Sequence, residues 1–294
     1  MTDMTSFDGT RLALSVRGPV GAPVVILVHG LGLSMEAWGI VPDLLAQDYR
    51  VIAYDLRGHG RSENALHGDY SLKAHANDLQ VILSSPLCGG SQATVVGNSL
   101  GGGIIVAHAH HFGAGQVAGA VFAGSGGSGV TFAGFPANNL PAPVRRALRL
   151  LWLCVLRAGT SAGNRIRVLK PLGDKLIRRY AFAPGDPQGA VARVREDFLG
   201  SRPRALAHTM LASVSHDGTR MAPDLTVPTL VLHGSEDPEV TDDELSTLMR
   251  SLPQGKLVNY PGEGHMLPLT RPDVVAEETS RWVRHVLNIS ETAL

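Results

Sequence analysis

The sequence predicts an α/β fold in which a mostly parallel sheet is covered by helices on both sides. Short runs that are apolar on both faces alternate with longer segments of helical periodicity. The 294 residues, 44% of them hydrophobic, are enough to bury the core that such a fold needs. The alternation breaks once, in the middle of the chain, which predicts one inserted segment of helices.

The strands are predicted from runs of β-branched and apolar residues bounded by Gly, Pro or polar residues. The first, Arg11 to Val16, has the pattern of an antiparallel edge strand. The others are predicted as buried strands: Val24 to Val28, Val51 to Tyr54, Ala93 to Val96, Val117 to Phe122, Thr229 to Leu232 and Lys256 to Asn259. Helical spacing is found in Ser71 to Leu83, Leu100 to His111, Asp242 to Ser251 and Pro272 to Leu287. Strands that alternate with helices in this way are typical of parallel pairing.

The alternation stops between residues 128 and 220. Gly and Ser cluster from Gly124 to Gly129, and Leu, Arg and Ala then follow in helical patterns until Val227 and Pro228 return the chain to a strand. We therefore expect residues 1–127 and 221–294 to form the core domain and residues 128–220 to form a helical cap. The net charge of zero is divided unevenly, since residues 128–220 hold 15 Lys or Arg and only 5 Asp or Glu. Two parts of opposite charge are predicted.

The composition argues against a membrane-spanning or secreted protein. The longest apolar run, Leu150 to Leu156, has 7 residues, whereas a spanning helix needs about 18. The N-terminal residues carry no Lys or Arg ahead of an apolar stretch, so we expect no secretory signal and a cytoplasmic protein. Cys88 and Cys154 are too few for a disulfide framework and lack metal-ligand spacing, and we expect both to be buried.

One strand leads directly into a G-x-S-x-G motif, Gly97 to Gly101, and a helical segment follows it. Glycines two positions on either side of Ser99 allow a sharp turn that lifts the serine above the sheet. The N-terminus of the following helix then points its free amides at negative charge that forms on a substrate. Ser99 is therefore predicted to be a nucleophile.

A nucleophilic serine needs a base and a carboxylate that orients the base. Asp237 and His265 each lie just beyond one of the last two strands, and parallel strands bring such loops to one edge of the sheet. Ser99, Asp237 and His265 are therefore predicted to converge as a catalytic triad. Glu236 competes for the role of the acid, and Asp55 lies at the same edge, where we expect it to fix a loop.

An oxyanion hole needs two backbone amides near the nucleophile. The amide of Leu100 follows Ser99 directly, and the strand Val24 to Val28 ends in His29-Gly30-Leu31-Gly32 at the same edge. The amides of Leu31 and Leu100 are the predicted donors.

Taken together, these motifs resemble the α/β-hydrolase superfamily over nearly the full length of the chain. The matching segments are His29-Gly30, Asp55 to Ser62, the Ser99 turn, Asp237 and His265, in that order. The resemblance implies an eight-stranded, mostly parallel sheet with a helical cap inserted after the sixth strand. It also implies that His29 and His59 have structural roles.

The predicted function is that of a serine hydrolase that cleaves a carboxylic ester, thioester or lactone through an acyl-enzyme. It needs no metal or organic cofactor, its expected substrate is a small and largely apolar acyl compound, and no nucleic acid partner is expected. Three alternatives stay open. They are a carbon-carbon bond hydrolase of the meta-cleavage-product type, a cofactor-free haloperoxidase or perhydrolase, and a ligand receptor without catalysis. Relatives of the first type usually have Trp after the histidine, where this chain has Met266.

Two further clusters have competing interpretations. His108, His110 and His111 resemble a metal site, but positions i and i+2 of a helix face different sides, so we expect no metal there. Arg145, Arg146, Arg149 and Arg157 form a basic stripe on an otherwise apolar helix. This stripe indicates either a cap helix packed on the core or a weak contact with an anionic membrane surface.

Overall fold

A computed structural model describes residues 1–127 and 170–288, together with the single positions 144, 151 and 154. The four arginines of the basic stripe lie outside these residues, so contact with an anionic surface stays a prediction. The division into a core domain and a cap over residues 128–220 also stays a prediction.

Eight strands form one sheet in the order β1-β2-β4-β3-β5-β6-β7-β8. Their bounds are β1 Thr2–Thr5, β2 Arg11–Arg17, β3 Val24–Val28, β4 Arg50–Tyr54, β5 Ala93–Asn98, β6 Val117–Ala123, β7 Thr229–Gly234 and β8 Gly255–Tyr260. Strand β2 pairs antiparallel with β1 on one side and with β4 on the other. The remaining neighbours, in the spatial order β4-β3-β5-β6-β7-β8, all pair parallel. This architecture confirms the predicted fold class.

The α-helices of the described chain flank or overlie the sheet. Their bounds are α1 Val41–Leu45, α2 Leu72–Leu83, α3 Leu100–Phe112, α4 Lys170–Ala181, α5 Gln188–Gly200, α6 Pro203–Val214, α7 Gly218–Met221, α8 Asp242–Ser251, α9 Leu267–Thr270 and α10 Pro272–Val286. Local sequence sets several of these ends. The Ser71 hydroxyl accepts a hydrogen bond from the amide of Ala74 at the start of α2, and Thr241 and Glu244 form a capping box at the start of α8.

The core lies on both faces of the central strands. One apolar cluster joins β3 and β5 to helices α2 and α3, and a second packs the other face of the sheet against α1 and α10. Residues Val24 to Val28 of β3 are all buried, which explains why this strand is apolar throughout. The central strands thus hold their C-terminal ends in fixed positions.

Two expectations about burial were wrong. Strand β8 is predicted as buried, but it is the edge strand of the sheet, and all six of its residues are exposed or half-exposed. An edge strand has a neighbour on one side only, which is consistent with the polar Lys256 and Asn259 within it. Cys88 is buried but Cys154 is exposed; a thiol is small, so its exposure costs little.

Candidate active site

The turn between β5 and α3 holds Ser99 in a conformation that few residues other than glycine adopt. Its φ is 50° and its ψ is −119°. The turn is possible because Gly101 lies against β3: a Cβ atom on Gly101 would stand 2.1 Å from the carbonyl oxygen of Val28. The G-x-S-x-G spacing therefore reflects direct backbone contact, and the strain is concentrated at the serine.

The Ser99 turn is also bonded to the end of β6. The amide of Ser99 donates to the carbonyl of Gly124 at 3.0 Å, and the Ser125 hydroxyl donates to the carbonyl of Ser99 at 2.6 Å. The side-chain amide of Asn98 donates to the carbonyl of Ala123 at 2.8 Å. The roles of Asn98 and Ser125 are not predicted from the sequence, although the Gly and Ser cluster after β6 indicates that a close approach occurs there.

Asp237 and His265 meet as predicted from their positions after β7 and β8. His265 Nδ1 lies 2.8 Å from Asp237 Oδ2, and both side chains are buried. The amides of Glu239 and Val240 donate to the other carboxylate oxygen of Asp237 at 2.8 and 3.0 Å. Asp237 is thus held from both sides, and it fixes the orientation of the imidazole.

These contacts shift the titration of both groups. Burial by itself would raise the pKa of Asp237, but the facing His265 and the two backbone amides lower it overall. Burial would lower the pKa of His265, but the carboxylates of Asp237 and Glu239 outweigh that effect and raise it to about 9. The pair is therefore stabilised as a carboxylate facing an imidazolium.

Gly124 lies between Ser99 and His265. Its carbonyl accepts from the Ser99 amide, and a Cβ atom on Gly124 would stand 2.0 Å from the carbonyl oxygen of His265. Within the described chain, His265 Nε2 has no aligned hydrogen-bond partner. Instead this nitrogen lies 3.2 Å from Oε2 of Glu239, a residue that sequence reasoning did not select. The structure brings the serine and histidine loops together without a hydrogen bond between Ser99 and His265.

Of the two predicted oxyanion donors, Leu100 directly follows Ser99, and Leu31 directly follows Gly30 in the loop after β3. A Cβ atom on Gly30 would stand 3.0 Å from Cβ of Ser99, which places the loop after β3 against the turn. Among the turn and loop hydrogen bonds of the described residues, none has the amide of Leu31 or Leu100 as its donor. Their role as oxyanion donors stays a prediction.

Asp55 and Glu236, the other carboxylates considered, do not contact His265. Asp55 accepts hydrogen bonds at 2.7 Å from the amides of Met35 and Arg61, so it fixes two loops as expected. The side chain of Glu236 is exposed.

Two of the histidines outside the candidate site, His29 and His108, pair with neighbouring groups of the fold. His29 Nε2 accepts from the amide of Leu56 at 3.0 Å, and burial lowers the pKa of His29 to about 4. His108 faces the side-chain oxygen of Gln80 at 2.8 Å. Over residues 1–127 and 170–288 there is no group of three or more His, Cys, Asp or Glu side chains that could hold a metal ion. Likewise, no helix of the described chain is both long enough and apolar enough to span a bilayer.

An eight-stranded sheet of this order, with a serine at the strand-to-helix turn and a histidine-aspartate pair at the same edge, defines the class of α/β hydrolases. The chain belongs to the alpha/beta hydrolase family, whose model matches residues 25–278.

Three relatives illustrate the range of the similarity. An uncharacterised protein of Mycobacterium tuberculosis is 39% identical over 104 residues, which is 35% of this chain and 29% of that protein. A bifunctional esterase/perhydrolase of Acinetobacter calcoaceticus is 27% identical over 96% of this chain and 99% of its own length. The solved structure of a thermophilic esterase from Thermogutta terrifontis, 25% identical, superposes with a TM-score of 0.78 over 97% of this chain and 98% of that one.

Proposed function

We propose that this protein is a serine esterase that uses Ser99, His265 and Asp237 as its catalytic triad. The observation that carries the proposal is the buried hydrogen bond between His265 and Asp237, at the same sheet edge as the strained Ser99 turn. A nucleophile, a base and an orienting carboxylate in that arrangement catalyse acyl transfer in serine hydrolases.

In the proposed reaction, neutral His265 takes the proton of the Ser99 hydroxyl while the oxygen attacks the ester carbonyl. The amides of Leu31 and Leu100 donate to the oxyanion of the tetrahedral intermediate. His265 then gives its proton to the leaving alcohol, and the acyl group stays on Ser99. Water repeats the cycle: it loses a proton to His265, attacks the acyl-enzyme and releases the acid and the free serine. Asp237 keeps Nε2 of the imidazole turned toward the reacting atoms throughout.

The surroundings of the site favour an apolar acyl group. Leu33, Phe182 and Met266 belong to one buried apolar cluster, and they come from the loop after β3, the segment after α4 and the position after His265. An acyl chain placed at Ser99 would find this cluster nearby. The similarity to the Acinetobacter esterase/perhydrolase over nearly the full length supports ester cleavage.

A second activity, perhydrolysis, is favoured by the same relative. In that reaction hydrogen peroxide replaces water, so that the acyl-enzyme yields a peracid and free Ser99. Both reactions share the acyl-enzyme, and neither needs a metal.

A substrate screen tests the proposal. We expect turnover of p-nitrophenyl esters of increasing chain length, with thioesters and lactones tested in parallel and hydrogen peroxide as an alternative acceptor. Ser99→Ala should fold normally and lose ester hydrolysis by several orders of magnitude. A wild-type protein with no turnover, or a Ser99→Ala variant that keeps more than a few per cent of it, would refute the assignment. The first of these results would favour a ligand receptor.

A further inference from the structure

Glu239 places a second carboxylate against the imidazole of His265. It lies two residues beyond Asp237, and its backbone is fixed because its amide donates to Asp237 Oδ1 at 2.8 Å. Its Oε2 is 3.2 Å from His265 Nε2, on the side of the ring opposite Asp237. The side chain is 24% exposed, so its carboxylate can be reached from solvent. The triad has no need of this residue, so its position calls for a separate explanation.

We propose that Glu239 determines substrate specificity by favouring esters whose leaving alcohol carries a positive charge, such as a quaternary ammonium group. This inference rests on the proposed function, because it assigns the carboxylate a place relative to the leaving group of an ester. Glu239 would thus select for the charge of the leaving alcohol.

The distance between Glu239 and the leaving alcohol follows from the role of His265 Nε2. This nitrogen must protonate the leaving oxygen, and proton transfer requires the two atoms to approach within about 2.6–3.2 Å. Glu239 Oε2 is 3.2 Å from the same nitrogen. The leaving oxygen therefore lies within about 6.4 Å of Oε2 whatever the angle between the two contacts. An ammonium group two or three bonds from that oxygen can reach the carboxylate directly.

The surroundings strengthen this preference. Leu33, Phe182 and Met266 belong to one buried apolar cluster, and Met266 follows His265 directly, so a charge beside the base is only partly surrounded by water. Burial raises the pKa of Glu239, while the charge of His265 opposes the increase. A cationic alcohol would supply a further partner for this carboxylate, whereas an anionic one would be repelled by it.

A cationic substrate would also release the base. Among the residues that the structure describes, the titratable groups that interact with His265 are Asp237 and Glu239 from the loop after β7, and His233 from β7 itself. While Glu239 lies at Nε2, both carboxylates favour the imidazolium, which cannot accept the proton of Ser99. A cation that neutralises Glu239 lowers the pKa of His265 in the substrate complex. We therefore expect the kcat profile to rise at lower pH with a cationic ester than with a neutral one.

The test compares acetylcholine with 3,3-dimethylbutyl acetate, which has the same shape and no charge. We expect the wild-type kcat/KM to favour acetylcholine by at least about tenfold. Glu239→Gln should reduce this ratio to near one and remove the difference between the two kcat profiles. Glu236→Gln is the matched control, because its carboxylate is exposed on the same loop, and it should keep the wild-type ratio. A ratio of two kcat/KM values is unaffected by a uniform loss of activity.

Equal use of the two esters by the wild type, or a preference that survives in Glu239→Gln, would overturn the inference and leave the esterase proposal intact. Failure to hydrolyse either ester or p-nitrophenyl acetate would overturn both. If Glu239→Gln does not fold, inhibition of the wild type decides the matter. Choline should then compete with p-nitrophenyl acetate at a concentration at least about tenfold lower than 3,3-dimethylbutanol, and equal inhibition by the two alcohols would contradict the inference.

Discussion

Replacing Gly101 by Ala tests whether backbone contact at the serine turn sets the geometry of the site. The new Cβ would stand 2.1 Å from the carbonyl oxygen of Val28, whereas ordinary van der Waals contact begins at 3.4 Å. The N-terminus of α3 and β3 must therefore separate by about 1.3 Å. Ser99 and the amide of Leu100 are attached to the element that moves.

The expected loss of catalytic rate follows from that displacement. A shift of about 1 Å in catalytic geometry costs on the order of 100-fold in rate, so we expect kcat/KM for p-nitrophenyl acetate to fall at least that much. Overpacking of this kind typically costs about 1–3 kcal/mol in the free energy of unfolding, so the variant should still fold at 25 °C. Steady-state kinetics and thermal unfolding measure the two effects separately.

Gly115→Ala is the matched control, because a Cβ atom there would have no neighbour within 4 Å and the residue needs no positive φ. It should keep wild-type kinetics and change the free energy of unfolding by less than about 1 kcal/mol. A Gly101→Ala variant that folds and keeps kcat/KM within threefold of the wild type would show that contact between Gly101 and β3 does not set the geometry of the site.

Asp237→Asn should lower kcat by about 10³- to 10⁴-fold, because only the carboxylate holds the required tautomer of His265. Glu236→Gln should leave kcat unchanged. The reverse result would transfer the orienting role to Glu236. Acid should destabilise the fold, because burial lowers the pKa of His29 to about 4 and that of His59 to about 3. Both side chains therefore stay neutral in the folded state, whereas the same histidines in the unfolded chain bind protons below about pH 6.5. The two histidines together predict a loss of about 3 kcal/mol in unfolding free energy between pH 6.5 and 5, measured by urea unfolding. The raised pKa of His265 does not reverse this trend, because its stabilisation is fully present below about pH 6.5 and is lost only as the pH rises through about 9. Equal unfolding free energies at pH 6.5 and 5 would contradict the assignment of buried neutral histidines.

The fold could be predicted because the buried strands are unambiguous in the sequence. Val24–Val28 is apolar at every position, which only a strand covered on both faces requires. Strand β1, Thr2–Thr5, is not predicted from the sequence, because four mostly exposed residues at the sheet edge have no hydrophobic pattern. The misplaced expectation for β8 has a similar origin, since a sequence does not reveal which strand of a sheet lies at its edge.

The meeting of Asp237 and His265 could be predicted because it depends on strand order alone. Each follows a parallel strand by a few residues, and such positions share one edge of the sheet. Glu239 could not be predicted in the same way, since its contact with His265 depends on side-chain direction within a loop. The roles of Asn98 and Ser125 could not be predicted for a related reason. Asn98 donates to the backbone of β6 and Ser125 donates to the backbone of Ser99, and such contacts produce no periodic pattern in the sequence.

Labelling the protein with a fluorophosphonate and mapping the modified peptide by mass spectrometry tests directly whether Ser99 is the nucleophile. We expect one adduct per chain, located at Ser99, and a loss of ester hydrolysis in proportion to labelling. Asp237→Asn should be labelled far more slowly, because the serine then lacks a correctly oriented base. Labelling at another residue, or ester hydrolysis that persists after Ser99 is fully modified, would show that Ser99 is not the nucleophile.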